Sequence, residues 1–253
     1  VSDQAVISPE ATIGAYCVID GHVEIGAHTV VDSHARIGSR FGAVVLGEHN
    51  YVQSGAMLGG PPQDLTRTET RTTLIVGNRN RIGEYASISL GSAKGEGVTR
   101  IGDHNFIMAY AHVGHDCQLA DNVIITNGSQ LAGHVVVERR ALISGLAGVT
   151  QFVRLGELSF LVAGGFANKD VLPYTIAEGH WATPRAVNRV GLRRAGFTAD
   201  QILNIRAAVR ILLDRKLTVE KALARIEREC APSDEIEHLV DFASASQKGI
   251  ARA

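Results

Sequence analysis

A six-residue beat constrains this chain more than any other feature. Ile7, Ile13, Ile19, Ile25, Val31 and Ile37 recur at every sixth position. The beat slips near Arg40–Val45, resumes at Leu46, Val52 and Leu58, and returns at Val76, Ile82 and Ile88. From Ile101 it runs unbroken through Ile107, Val113, Leu119, Ile125, Leu131, Val137, Ile143, Val149, Leu155 and Leu161. Neither a helical period of about 3.6 nor a strand period of about 2 generates that spacing. A parallel β-helix does. Each hexad supplies one short strand and one turn, the aliphatic points inward, and three hexads close a triangular coil. Gly often follows the aliphatic, as at Gly14, Gly26 and Gly38, and is expected to support the unusual backbone of the corner. Four residues after each aliphatic stands a mostly small residue: Ala11, Cys17, Val23, Thr29, Ala35. Such coils touch only their neighbours and stack into a solenoid.

Composition agrees with this reading. The 253 residues are 45% hydrophobic and 20% charged, which excludes global disorder. Aromatics are only 5%, with Trp181 the single tryptophan, so the core must be built from small aliphatic side chains. Twenty-five Lys and Arg balance 26 Asp and Glu, a poor match for bulk nucleic-acid binding. Cys17, Cys117 and Cys230 are too few and too scattered for a disulfide framework. No apolar run approaches a membrane span. The first residues carry no basic segment ahead of an apolar stretch. The expectation is a soluble cytoplasmic protein.

Two segments interrupt the beat. One runs from Gly59-Gly-Pro-Pro-Gln-Asp-Leu to Thr73, and the other is Gly91-Ser-Ala-Lys-Gly-Glu-Gly. Long insertions in a compact repeat are commonly functional. The second lacks the Lys-Ser/Thr ending of a phosphate-binding loop. After about Thr183 the grammar turns helical. Thr198-Ala-Asp-Gln201 reads as a capping box ahead of Ile202, Ile205, Val209 and Leu212. Thr218 is placed to cap a second helix through Cys230, and Ser233 a third through about Ser244. The class expected is mainly β: a left-handed parallel β-helix over 1–183 with a C-terminal helical subdomain over 184–253.

The densest polar group is Ala111-His-Val-Gly-His-Asp-Cys117. His112 and His115 fall around one corner and are expected to face outward. His134 follows His115 by nineteen residues, about one coil further on. The loop carrying Gln63 and Asp64 can reach the same groove. Three readings fit these residues. They are solvated turn histidines, or metal ligands in a His-x-x-His pair completed from the next coil. In the third, His115 is a general base oriented by Asp116, and Gly133 offers a backbone N–H to an oxyanion. The third is the parts list for acyl transfer to a hydroxyl or an amine.

Five segments carry a resemblance: Gly60-Pro-Pro-Gln-Asp-Leu65, Gly77-Asn-Arg-Asn-Arg-Ile82, the His-x-x-His-Asp-Cys group, Leu131-Ala-Gly-His134, and Ala182-Thr-Pro-Arg-Ala-Val-Asn-Arg-Val-Gly-Leu-Arg-Arg194. Over nearly the whole chain it resembles the UDP-N-acetylglucosamine O-acyltransferases of lipid A biosynthesis. The resemblance implies a homotrimer with active sites in the clefts between subunits. It implies transfer of a β-hydroxyacyl chain from acyl carrier protein to the sugar 3-position. No metal or separate cofactor is implied, since phosphopantetheine arrives on the carrier. Matched position by position, His115 is the general base, Asp116 its partner and Gly133 the oxyanion amide. Asp64 and His112 match sugar contacts, with Gln63 in the same motif. His134 and Gln151 match further substrate contacts. Asn188 and Arg194 match the nucleotide and phosphate end, and Ala163 the position that limits acyl-chain length.

Four positions depart from the family pattern. Thr66, followed by Arg67, stands where Lys is usual, Thr150 where His is usual, Val190 where Glu is usual, and Ala195 where a second basic residue is usual. All four are expected on the nucleotide or phosphate side. Arg185, Arg189 and Arg193 would share one face if this stretch were helical, either as a solvated face or as a dock for an acidic carrier protein. The leading reading is O-acylation of a sugar nucleotide. The alternatives are N-acylation of an amino-sugar nucleotide and a zinc enzyme like the γ-carbonic anhydrases.

Overall fold

A computed structural model describes residues 1–64 and 72–252; Thr66 and Arg67 lie outside the described residues. The hexads form a left-handed parallel β-helix of mostly two-residue strands. From Ile107 to Val149 the register offset is eighteen: Ile107 opposes Ile125, Val113 opposes Leu131, and Val149 opposes Ala167. The earlier coils show where residues are inserted. Ile25 opposes Leu46, Leu46 opposes Val76, and Val76 opposes Ile101, offsets of 21, 30 and 25 in place of 18. The insertions are therefore three, twelve and seven residues long. All three leave the solenoid at one corner, between the face that carries Ile37, Leu58 and Ile88 and the face that carries Leu46, Val76 and Ile101.

The aliphatic of each hexad from Ile19 to Leu161 is buried, as are Ala35, Ala56, Ala86, Ala111, Cys117 and Val123 four positions on. Burial of each Val, Ile or Leu contributes about 1.5–3 kcal/mol, so the column of inward aliphatics is the main stabilising element. Where the second position is polar, its side chains pair along the axis. Thr29 Oγ1 accepts from Asn50 N–H, Asn50 Oδ1 from the Asn80 side-chain amide, and Asn80 Oδ1 from Asn105 N–H. The side-chain amides of Asn50 and Asn80 are both satisfied in this row, while Asn105 Nδ2 at its end is buried without a partner among the described residues.

The corners differ from the expectation about glycine. The residue at positive φ sits three positions after the aliphatic and is rarely Gly: Tyr16, His34, Tyr85, Tyr110, Asp116, Asn122 and His134 all have φ near +60°. The Gly directly after the aliphatic serves close approach instead. A Cβ on Gly114 would lie 2.7 Å from the Ala132 carbonyl carbon of the next coil.

The solenoid closes with strand Thr175–Glu178, which pairs antiparallel with Thr183–Val187. That last strand crosses the expected boundary at 183/184. Four helices follow: α1 (Arg189–Arg194), α2 (Ala199–Leu212), α3 (Val219–Glu229) and α4 (Asp234–Ser244). Thr198 and Gln201 make the reciprocal capping box of α2, and Thr218 caps α3. Ser233 precedes α4 without a side-chain capping bond. Asn188 caps the unforeseen α1 through Gly191 N–H. Arg185 lies in the strand, ion-paired to Glu178 at 2.8 Å, so it does not share a helical face with Arg189 and Arg193. A second core, including Tyr174, Leu192, Ile205, Leu212, Leu239 and Phe242, holds the helices to the end of the solenoid. Among the described residues no helix is long and apolar enough to cross a membrane.

Candidate active site

The face that ends at the insertion corner places Ser87, His112, Gln130, Gly148 and Phe166 in register on successive coils. Just past its strands, the corner places His115 and Asp116 on one coil and Gly133 and His134 on the next. A groove of about 380 Å³ runs along this edge. Gln63, His112, His115, Gly133, Thr150, Gln151 and Phe166 all line it. The insertion that carries Gln63 therefore does reach the histidine cluster. Thr150, expected away from the base, lines the same groove as His115.

His115, expected at an outward-facing corner, lines the groove but is only 6% exposed, and Asp116 beside it is 5% exposed. His115 Nδ1 lies 2.8 Å from Asp116 Oδ2. A carboxylate there holds the proton on Nδ1 and leaves Nε2 as the basic nitrogen. The adjacent glycine makes room for the ring. A Cβ on Gly133 would fall 2.5 Å from His115 Cε1 and 2.6 Å from Nε2. His134 N–H donates to the His115 carbonyl at 2.8 Å, which fixes the two coils at this level. The His134 ring meets His115 edge-on at 5.0 Å and stacks on Phe152 at 4.4 Å.

The flanking histidines are biased toward the neutral form. Burial, aided by His115, pushes His112 below its ordinary value, and Ser87 Oγ bonds its Nδ1 at 2.7 Å. Burial also lowers His134, against the pull of Asp116 and with Asp64 close enough to oppose it. Burial pushes the Cys117 thiol up to about 12, so it is no nucleophile near neutral pH. His115, Asp116 and His134 form the one group of three close metal-ligand atoms found among the described residues, within 4.8 Å. There the carboxylate is already engaged by His115 and by Ser92 N–H, at 3.0 Å to each oxygen.

The remaining sequence-derived residues stand apart from this groove within one chain. Asn188 Oδ1 caps α1 and its Nδ2 donates to the Leu158 carbonyl at 2.9 Å. Arg194 is exposed in the last turn of α1, with Val190 exposed at its start and Ala195 partly buried as its C-cap. Ala163 is exposed at a corner and does not line the groove. Three contributors were not anticipated: Phe166, Phe152 and the backbone of Ser92. The eighteen-residue register from Gly148 would have found the first, and that from His134 the second. Ser92 belongs to an insertion at the same corner, one coil before Asp116.

Residues 99–133 match the model of the bacterial transferase hexapeptide (six repeats), and residues 170–251 match domain 2 of UDP N-acetylglucosamine O-acyltransferase. An acyl-[acyl-carrier-protein]–UDP-N-acetylglucosamine O-acyltransferase of Burkholderia orbicola is 43% identical over 212 residues, covering 82% of this chain and 80% of that protein. The enzyme of the same name from Paraburkholderia phymatum is 40% identical, covering 80% and 79%. The structure of LpxA from Acinetobacter baumannii superposes with a TM-score of 0.96 at 33% identity, covering 100% of this chain and 97% of that one. The UDP-N-acetylglucosamine acyltransferase of Francisella novicida superposes at 0.93 and 34%, covering 100% and 92%. With relatives at 40% identity or more over four fifths of the chain, and with hexads and helical subdomain both matched by family models, the chain belongs to the UDP-N-acetylglucosamine O-acyltransferase family.

Proposed function

We propose that this protein transfers a β-hydroxyacyl chain from acyl carrier protein to the 3-hydroxyl of UDP-N-acetylglucosamine, an early step of lipid A biosynthesis in the cytoplasm. The observation that carries the reading is the His115–Asp116 pair, with Nδ1 tied to the carboxylate at 2.8 Å and the ring lining the groove. His115 Nε2 takes the proton of the sugar hydroxyl as its oxygen attacks the thioester carbonyl. The oxyanion that forms is met by the Gly133 N–H. Collapse breaks the C–S bond, and the pantetheine sulfur takes the proton held by His115 and leaves as the thiol. No metal or separate cofactor enters this scheme.

Gln63, Asp64 and His112 are assigned to the sugar, and His134 and Gln151 to further substrate contacts. Asn188 and Arg194 are assigned to the nucleotide. In a homotrimer with sites in the clefts between subunits, a neighbour's copies of these two residues supply that end. Their distance from the groove within one chain supports this arrangement. Ala163 is assigned to the distal end of the acyl chain. N-acylation would use the same base, but the names carried by the relatives favour an oxygen acceptor. The test is a panel of sugar nucleotides against a panel of acyl carrier protein thioesters, with products identified by mass. UDP-N-acetylglucosamine is expected to give the highest kcat/KM. A clear preference for a sugar with a free amine would replace O-acylation by N-acylation.

A further inference from the structure

We propose that the insertion 91–97 is a positioning element for the catalytic pair, with Gly95 and Thr99 acting on the reaction through Asp116. This rests on the reading of His115 as general base. Asp116 carries a buried carboxylate on a residue whose backbone is itself in the left-handed region, at φ 59°. Neither feature maintains itself. A buried carboxylate needs donors, and a non-glycine residue at positive φ needs its backbone held.

The insertion and the strand that follows it supply both. Ser92 N–H donates to both carboxylate oxygens at 3.0 Å, which fixes the plane of the group and leaves Oδ2 directed at His115. Thr99 is fully buried, and its Oγ1 accepts from Asp116 N–H at 2.8 Å, pinning the left-handed peptide. Gly95 completes the seat. A Cβ there would stand 2.5 Å from Asp116 Cγ, 2.5 Å from Oδ1 and 2.9 Å from Oδ2. Gly95 is not among the residues at positive φ, so its own backbone does not demand glycine; the carboxylate above it does. The base of the insertion is tight. A Cβ on Gly91 would meet Gly97 and Val98 at 2.2 Å, and Thr73 N–H holds the Gly97 carbonyl at 2.8 Å. The seven extra residues of this coil, with Gly95 at an exposed position, thus build a socket one coil before the pair.

A misplacement of about 1 Å in a catalytic group can cost about 10²-fold in rate. Gly95→Ala is therefore expected to lower kcat by about 10²-fold, with KM for both substrates changed less than threefold. The deciding measurement is a double-mutant cycle with Asp116→Ala, which removes the carboxylate that the new methyl would strike. If Gly95 acts only through that carboxylate, the double variant runs within threefold of Asp116→Ala alone. Thr99→Val is expected to behave as Gly95→Ala does, and Thr99→Ser, which keeps the oxygen, to recover at least tenfold of the loss. The proposal is overturned if Gly95→Ala keeps more than half of wild-type kcat, or if the double variant loses the full product of the two single effects. Loss of folding in Gly95→Ala gives that second result and so also counts against it. If His115→Ala and Asp116→Ala are themselves without effect, the general-base reading fails instead.

Discussion

A Cβ on Gly133 would stand 2.5 Å from His115 Cε1, inside any real carbon–carbon contact. The ring, not the backbone, is what must yield. Gly133→Ala is therefore expected to displace the imidazole from Asp116 and lower kcat by about 10²-fold while the thermal midpoint stays close to wild type. Steady-state kinetics beside a melting curve checks this. A midpoint that collapses with the activity would mean that the glycine serves packing alone. Ala163 makes a different kind of prediction. Each buried methylene contributes about 0.8 kcal/mol, so a side chain that blocks one shifts donor preference about fourfold. Ala163→Met should move the optimum to shorter donors and Ala163→Gly to longer ones, assayed across thioesters differing by two carbons. If both variants keep the wild-type profile, the acyl groove ends elsewhere, and Phe166, packed over Gly148 at its far end, becomes the place to look. At this scale the sequence was informative where one side chain does the work, as with His115, Asp116 and Gln63. It was silent about the backbone group that holds the carboxylate. Nothing in the letters of Ser92 says that its N–H holds a carboxylate 24 positions away.

The hexads were legible because each strand has one inward residue and the period is rigid. The insertions were legible as interruptions. That they share a corner with His115 follows only once the offsets of 21, 30 and 25 are placed on three faces. The six residues of α1 were missed because they are too few to show a hydrophobic period, and Arg185, which prolongs the apparent spacing of four, belongs to a strand. The capping box of α2 was readable because it is local in sequence. The attachment of α4 was not, since its partners lie 64 to 100 residues away. His238 Nε2 pairs with Glu138 at 2.9 Å, its Nδ1 bonds Tyr174 OH at 2.9 Å, and Arg154 lies over the Phe242 ring at 4.0 Å. The hydrogen bond to Glu138, helped by the charges of Glu138 and Glu157, raises His238 above its ordinary value. A raised histidine contributes stability in full below its unfolded value of about 6.5 and loses it as pH rises through the folded value. The difference in urea midpoint between wild type and His238→Gln should therefore be largest at mildly acidic pH and shrink on the alkaline side. A difference that grows with pH would assign the pair a different charge state.

At the level of the molecule, one face carries Phe106, Ile124, Leu142 and Phe160 in register on successive coils, with Val30 and Tyr51 beyond the intervening Arg81, and the corner beside it carries exposed Tyr85, Tyr110 and Leu146. An apolar strip of this length on a 27.0 kDa chain fits closed association with copies of itself. Light scattering is expected to give three times the chain mass, and a monodisperse active monomer would remove the shared-cleft account of Asn188 and Arg194. What the whole arrangement is proposed to achieve is proton removal by one buried, carboxylate-oriented imidazole in a groove that holds both substrates. The most direct measurement is turnover of UDP-N-acetylglucosamine with β-hydroxyacyl carrier protein by the purified wild type and by His115→Ala, with the acylated nucleotide identified by mass. Acylated product from the wild type is expected, with kcat lowered by about 10²–10⁴-fold in His115→Ala and the oligomer unchanged. No acylated nucleotide from the wild type, or more than half of its kcat retained by His115→Ala, would contradict the account.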